Sequence, residues 1–423
     1  MTRILGLPEA EVVPLVGAVS RQEISRDQAR ERFSLAAWSN IAEPGDRTAK
    51  ALIAAMGAES ALSSVVSRQA PETVLERLKS NFNSVEKSLE STGVTQSIVP
   101  EFGEEELKLA FDRWLPRVKS SVVLLALKQA ARFDVKFVIP SDDEWPIGFS
   151  DLGPHEPVGL WLRGSDSVLR AANNSISLVG ARAATGYGEH ITMEASAGLV
   201  DRGYAIVSGA AYGIDGMAHR AALASAGHTI AVLAGGLDRF YPSGHEELLT
   251  RIVKTGSVIS ELPCGAAPTK WRFLQRNRLI AGISQATVVM EAGWRSGSLN
   301  TAGHAAAIGR PLGAVPGPVT SAASAGCHRL IREFGATCVT TAAEMAELAP
   351  FDGNLPAQIE NAAIEDPAIT RLKDAMSRKT ARPVDLLASS SGLSVGQVQS
   401  ALGELRLDGV VKERESGWVL TTV

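Results

Sequence analysis

Tyr204-Ala205-Ile206-Val207-Ser208-Gly209-Ala210-Ala211-Tyr212-Gly213-Ile214-Asp215-Gly216-Met217-Ala218-His219 begins with an apolar run. It then passes through small residues and enters a segment of helical periodicity. A short strand that ends in a Gly-rich turn and feeds a helix is the unit of an α/β fold. The unit recurs on both sides. Short β-branched runs lie at Lys136–Ile139, Ile176–Val179, Thr229–Leu233, Ser257–Ser260, Thr287–Met290, Leu312–Val315 and Thr337–Val339. Segments such as Gly188–Arg202 and Gly216–Ala226 carry helical spacing between them. This alternation predicts a doubly wound, mostly parallel sheet covered on both faces. Nearly every run ends in Gly, Ser or Ala: Val179-Gly180, Val207-Ser208-Gly209, Leu233-Ala234-Gly235-Gly236, Glu291-Ala292-Gly293 and Val315-Pro316-Gly317. Small residues at the carboxyl ends of parallel strands leave room for a ligand above the sheet.

The rest of the chain divides around this block. Residues 1–135 read as a helical domain, with Ala51–Met56 and Val122–Ala131 of helical composition and a break at Asp112–Pro116. Asn81 to Glu106 is polar and reads as a mobile connection. The α/β domain spans 136–350. Residues 351–368, rich in Ala, Pro and acid from Asn354 on, read as a linker. Residues 369–423 form a small module. It has helices at Ile369–Met376, from Pro383, and over Ser394–Leu407, the last with Ser394 as N-cap. An alternating stretch, Gly409 to Leu420, turns at Ser416-Gly417. Three helices and a hairpin predict a winged helix-turn-helix, which binds DNA or serves protein contacts.

Composition is that of a globular protein: 423 residues, 45% hydrophobic and 21% charged, at net charge -4. No apolar run is long enough to span a bilayer, and the N-terminus lacks a secretory pattern. Cys264, Cys327 and Cys338 are too scattered for a disulfide frame or a zinc site. A cytoplasmic protein without cofactor or metal is the expectation.

Against that acidic background, Pro268-Thr269-Lys270-Trp271-Arg272-Phe273-Leu274-Gln275-Arg276-Asn277-Arg278 gathers four cations around two aromatics. Cations for phosphates beside rings for bases suit single-stranded nucleic acid. A solvated face of an amphipathic helix is the alternative. Four loops offer more. Gly180 and Arg182, at a strand-to-helix turn, suit an anion. Ser208 and Gly209 form a second candidate phosphate loop, and Arg239 belongs to a third. Arg295 and the hydroxyls of Ser296 and Ser298 lie in the fourth. Asp215 and His219 are four apart, which fits an acid–base pair or, as the favoured reading, an N-cap Asp with a hydrogen-bonded His. Gly186-Tyr187-Gly188 lacks the third Gly of a dinucleotide fingerprint, and no Walker lysine follows any turn. No nucleophile elbow, metal spacing or carboxylate pair is present. The chain therefore reads as a binder of a polyanion and not as an enzyme.

In their order, several of these motifs closely resemble the bacterial DNA-processing protein DprA (Smf) family. They are Gly180-Ala181-Arg182, Ser208 to Asp215 with Ala218-His219, Gly236-Leu237-Asp238 with Tyr241-Pro242, Arg276-Asn277-Arg278 with Ala281-Gly282, Glu291-Ala292 with Ser296-Gly297-Ser298, and Pro316-Gly317. The similarity runs from about Trp145 to Val339 and includes Pro157–Gly164, ahead of the strand at Ile176. It implies an extended Rossmann domain, a helical N-terminal domain that is SAM-like in part, and a C-terminal winged helix. It implies a homodimer that binds single-stranded DNA, protects it in natural transformation and loads RecA recombinase. By the resemblance, Arg182 and Lys270 contact phosphates and Phe273 stacks on a base. Arg276 and Arg278 are further candidate contacts, and Asn277 fixes the loop.

Three places depart from the family. Leu274 stands where Pro is usual, which loosens the expected turn. Ser243 and His245 replace a basic residue and an Asn, so that Arg239 is a candidate substitute. His328 replaces an Asn in a region resembling the dimer surface. The rival readings are a nucleoside-monophosphate phosphoribohydrolase of the related LOG-like class, whose motif glutamate is missing after Ser298-Leu299-Asn300, and a nucleotide-sensing module.

Overall fold

The computed structural model of the protein describes residues 3–80, 103–349 and 369–421, apart from positions 5, 79, 370, 371, 374, 379, 408 and 415. The expected linker at 351–368 and most of the polar stretch from Asn81 lie outside the described residues. The end of that stretch is helical from Glu104 onward. The chain divides into two units, Met1–Phe351 and Asp352–Val423.

A nine-stranded sheet organises the first unit. Its strands are β1 (Lys136–Val138), β2 (Leu160–Gly164), β3 (Ser175–Gly180), β4 (Ala205–Ser208), β5 (Thr229–Leu233), β6 (Ser257–Ser260), β7 (Ala286–Glu291), β8 (Leu312–Ala314) and β9 (Thr337–Cys338). Their spatial order is β9-β8-β7-β3-β4-β5-β6-β2-β1. Strands β3 to β9 pair in parallel, while β2 runs antiparallel to both β6 and β1. The expected strand runs all form. β2 is an addition within Pro157–Gly164: Leu-Trp-Leu-Arg-Gly pairs Trp161 with Ser260 and Phe137.

Both faces of the sheet are covered, which is why the central strands are buried along nearly their whole length and read as mostly apolar, with small hydroxyl residues such as Ser177 and Thr287 between. Along β5, Ile230 and Val232 pack on one side with Leu279, Ile280 and Ile283 of α10 (Lys270–Ile283). Ala231 and Leu233 point the other way, into a cluster with Leu248, Leu249 and Ile252 of α9 (Glu246–Thr255). The same cluster takes in Trp38 and Phe33 of α2 (Arg26–Ile41), Leu52 of α3 (Arg47–Met56), Leu62 of α4 (Ala58–Val66), Phe111 and Trp114 of α5 (Glu104–Trp114), and Leu127 of α6 (Ser120–Arg132). Helix α1 (Glu9–Ser20) adds Val12 and Val16. The N-terminal helices and the sheet thus share one core. It is pinned by a buried ion pair between Arg32 of α2 and Asp142 after β1. Helices α7 (Gly186–Val200) and α8 (Ile214–Ala224) cover β3, β4 and β7. No single helix among the described residues is long and apolar enough to cross a membrane.

The order of strands fixes where a ligand fits. From β3 the chain winds to β4, β5 and β6 on one side, and from β7 to β8 and β9 on the other. β3 and β7 are neighbours, so the winding reverses between them. The crevice above their carboxyl ends is the topological switch point, where open α/β sheets bind ligands.

In the second unit, α12 (Val384–Ser391) and α13 (Val395–Leu407) pack around Leu387, Val398, Leu402 and Leu405. Ser394 accepts from the Gln397 amide at 3.3 Å, as an N-cap does. A hairpin of β10 (Val411–Arg414) and β11 (Gly417–Leu420) completes the winged helix.

Candidate nucleic-acid interface at the switch point

Between the ends of β3 and β7 lies a cleft of about 580 Å³. Its walls are the loop Gly180–Ala183, the first turns of α10 and the segment Gly293–Ser298 that leads into α11 (Ser298–Ala307). Gly180 is required by close packing. A Cβ there would stand 2.5 Å from Ile214 Cγ1 and 2.8 Å from the Glu291 carbonyl oxygen. Glu291, at the end of β7, is buried and holds the loop from below. It accepts from the Thr185 amide at 2.8 Å and the Thr185 hydroxyl at 2.6 Å. Thr185 in turn caps α7 through the Gly188 amide. The loop that presents Arg182 is therefore fixed by a carboxylate more than a hundred residues downstream.

Phe273 sits at the rim, half-buried on the first turn of α10. The Arg182 guanidinium lies 5.3 Å and the Arg276 guanidinium 5.7 Å from its ring centre. Thr269 caps α10 by accepting from the Arg272 amide at 3.3 Å, which places Lys270 at the exposed helix start. Leu274 lies inside the helix, so no turn follows Phe273 and the expected loosening does not arise.

The cations fall into two sets. Arg182, Arg239, Lys270 and Arg295 are exposed and have no ion pair among the described residues. Arg272, Arg276 and Arg278 are committed to the protein. Arg272 is paired with Glu43. Arg278 is 3% exposed, paired with Glu261, and turned toward Gly45, away from the cleft. Arg276 is 5% exposed and donates to the carbonyls of Gly209 (2.7 Å) and Val232, forming part of the cleft floor. Burial lowers its pKa to about 10, so it stays charged at neutral pH.

The second loop is an internal brace. Ser208 is buried and its hydroxyl donates to the Leu178 carbonyl at 2.6 Å. A Cβ on Gly209 would run into the Arg276 guanidinium. Asp215 is not an N-cap; it is the second residue of α8, behind Gly213. Its carboxylate folds back to accept from the Ala211 amide at 3.4 Å, and burial raises its pKa. His219 bonds not to Asp215 but to Thr229, with Nδ1 2.6 Å from the hydroxyl. The Thr229 proton goes to the Ile206 carbonyl, so His219 Nδ1 donates, while its Nε2 is buried without a partner among the described residues. Burial is the first cause of its pKa falling to about 3. His245 is likewise interior, with Nδ1 donating to the Ala210 carbonyl. His328 donates to Gly317. Asn277 ties α10 to α11 by donating to Asn300 at 3.1 Å.

Arg295, Ser296, Ser298 and Thr301 line the cleft opposite Arg182. The fourth loop carried the signal for the first three. Thr301 closes the same loop in the sequence and faces the cleft because it lies one helical turn after Ser298. Among the described residues no group of three or more His, Cys, Asp or Glu could hold a metal ion. The cleft offers cations, hydroxyls and a ring, which is equipment for holding a phosphorylated base.

The sequence matches the family described as DNA recombination-mediator protein A over residues 136–350. The DprA winged helix domain matches over 356–417. A DNA processing protein DprA of Mycobacterium tuberculosis is 45% identical over 297 residues, covering 67% of this chain and 76% of that protein. Protein Smf of Escherichia coli is 36% identical over 293 residues, with the same shares. The crystal structure of DprA from Streptococcus pneumoniae superposes with a TM-score of 0.56 at 28% identity, covering 78% of this chain and 99% of the other. With its extended sheet, its switch-point cleft and its winged helix, the chain belongs to the DprA (Smf) family of DNA-processing proteins.

Proposed function

We propose that this protein holds single-stranded DNA across the switch-point cleft without turning it over. The observation that carries the reading is the sorting of the cations. Four have no ion pair among the described residues: Arg182 lies over the Phe273 ring, Arg295 lines the cleft, Arg239 borders the hollow beside Phe273 and Lys270 starts the helix, while the other cations of that helix are neutralised or buried. Free cations around an exposed-edge ring bind the backbone through phosphates and the base through its face. Arg182 and Lys270 are the principal phosphate contacts, Phe273 the stacking residue, and Arg239 and Arg295 outer contacts. Arg276 acts from the floor. Gly180, Ser208 and Gly209 shape the loops. Arg278 serves the fold.

The role we assign is that of its family's name, mediation of recombination: protection of incoming single strands in transformation and delivery to RecA, by a cytoplasmic homodimer. Fluorescence anisotropy with labelled single-stranded and duplex oligonucleotides tests the binding step. Preference for the single strand, lost in Arg182→Ala and Phe273→Ala, supports it. Equal binding to both forms, or indifference to both substitutions, rejects it. RecA filament formation on strands coated with a single-strand-binding protein, with and without this protein, tests delivery.

A further inference from the structure

Phe273 also borders a shallow hollow at the end of β5, of about 10 Å³, room for no more than a water, walled by Gly235, Gly236, Arg239, Tyr241 and Pro268. Tyr241 is 50% exposed, and its ring centre stands 5.6 Å from that of Phe273 at an interplanar angle of 54°. Two other tyrosines are anchored through their hydroxyls: Tyr187 donates to the Pro316 carbonyl at 2.6 Å and Tyr204 to that of Ala349 at 2.5 Å. The Tyr241 hydroxyl has no partner among the described residues. Its ring is thus presented without a tether. Arg239, two residues earlier, is exposed and has no carboxylate partner among them. The rim of the hollow, though not its volume, repeats the equipment of the main cleft: an aromatic face, a guanidinium without a carboxylate and small residues at a strand end.

We propose that the surface at the mouth of this hollow is a second nucleotide subsite, where the exposed Tyr241 ring stacks on the base next to the one held by Phe273 and Arg239 takes its phosphate. The tilted pair of rings then lies between consecutive nucleotides of one strand. The site reads two bases by their faces, which every base has, and so remains indifferent to sequence. The inference rests on the single-strand reading above and adds a residue and a direction to it: the strand runs from the switch-point cleft, over Phe273, toward the end of β5.

The test uses the full chain and a short thymidine oligonucleotide, intact or with one abasic sugar scanned along it, read by anisotropy at several salt concentrations. Tyr241→Leu is expected to weaken binding by about five- to a hundredfold, the worth of one stacked base, with the salt slope unchanged. Tyr241→Phe keeps the ring and is expected to bind like the wild type. Arg239→Ala is expected to reduce the slope of log K against log salt by about 0.7, one phosphate's share. An abasic sugar at one position should cost the wild type affinity and cost Tyr241→Leu none. Tyr241→Leu binding within twofold of wild type, while Phe273→Ala is impaired, overturns the second subsite and leaves the first. An unchanged abasic penalty in Tyr241→Leu also overturns it, since the ring then only buttresses Phe273. If Phe273→Ala and Arg182→Ala bind normally as well, the single-strand reading falls with it.

Discussion

Glu43 grips Arg272 with both carboxylate oxygens, at 2.9 Å from Nη2 and 3.1 Å from Nε. Arg117 reaches the same carboxylate at 2.7 Å, and Arg272 also donates to the Ala267 carbonyl at 2.8 Å. The loop after α2 therefore staples the start of α10, the helix that carries Lys270 and Phe273, to the N-terminal helices. Glu43→Gln removes the charge and keeps the shape. It is expected to destabilise the fold by about 1–2 kcal/mol, between an exposed and a buried pair. It should weaken single-strand binding several-fold without altering the salt slope, because no phosphate contact is lost. Thermal melts and anisotropy over a salt series read both. A changed slope would mean that Arg272 contacts DNA itself.

Lys270→Ala and Phe273→Ala should separate charge from stacking. The first lowers the salt slope by about 0.7 and matters less as salt rises. The second costs about 1–3 kcal/mol at every salt concentration. Parallel loss of slope in both variants would refute the division.

Acid sensitivity should have two windows. His219 is held neutral, its pKa near 3 against an ordinary 6.5. The unfolded chain therefore binds the extra proton between those values. Stability is complete above about pH 6.5 and falls toward pH 3, by up to about 1.4 kcal/mol per pH unit. Glu43 acts lower. Burial alone would raise its pKa, but Arg272 and Arg117 outweigh burial and hold it below the ordinary 4.5. Its contribution is present above that value and is lost as pH falls through the lowered one. Denaturant titrations of wild type and His219→Gln from pH 7 to pH 4 check this. A variant as steep as the wild type would exclude His219 as the cause of the first window.

Gly213→Ala should disable the Arg182 loop. Gly213 precedes α8 at φ +73°, and a Cβ there would run into the backbone of Ala181 and Arg182. The left-handed conformation alone costs about 1–2 kcal/mol for a residue with a Cβ, and the collision adds to it. Loss of single-strand affinity larger than that of Arg182→Ala is expected, since the loop moves with the side chain. Unchanged affinity would show that the loop position is immaterial.

The parallel strands were legible because both their faces are buried, which writes short runs of β-branched and small residues without helical spacing. Thr229–Leu233 and Ser257–Ser260 form with the bounds their composition implies. β2 escaped notice because its run is short, ends in Arg163-Gly164, and pairs antiparallel at the sheet's flank. The cluster of cations at 270–278 was plain in the sequence, but their division was not. Arg272 meets a carboxylate 229 positions away, and Arg278 one that is 17 positions away across a strand end. Local composition carries no trace of such pairings. For the same reason Asp215 and His219, correctly spaced for each other, take partners on Ala211 and Thr229 instead.

Arg276 gives the cleft an attraction that salt is slow to erase. Ions in solution screen the exposed guanidinium of Arg182, whereas a charge sealed beneath the floor, with carbonyls and the buried Asp215 carboxyl for neighbours, is screened much less. As ionic strength rises, the rim loses its grip first and the floor last. A strand at high salt would then be held at one point instead of along its length, free to pivot about the nucleotide seated over the junction of β3 and β7.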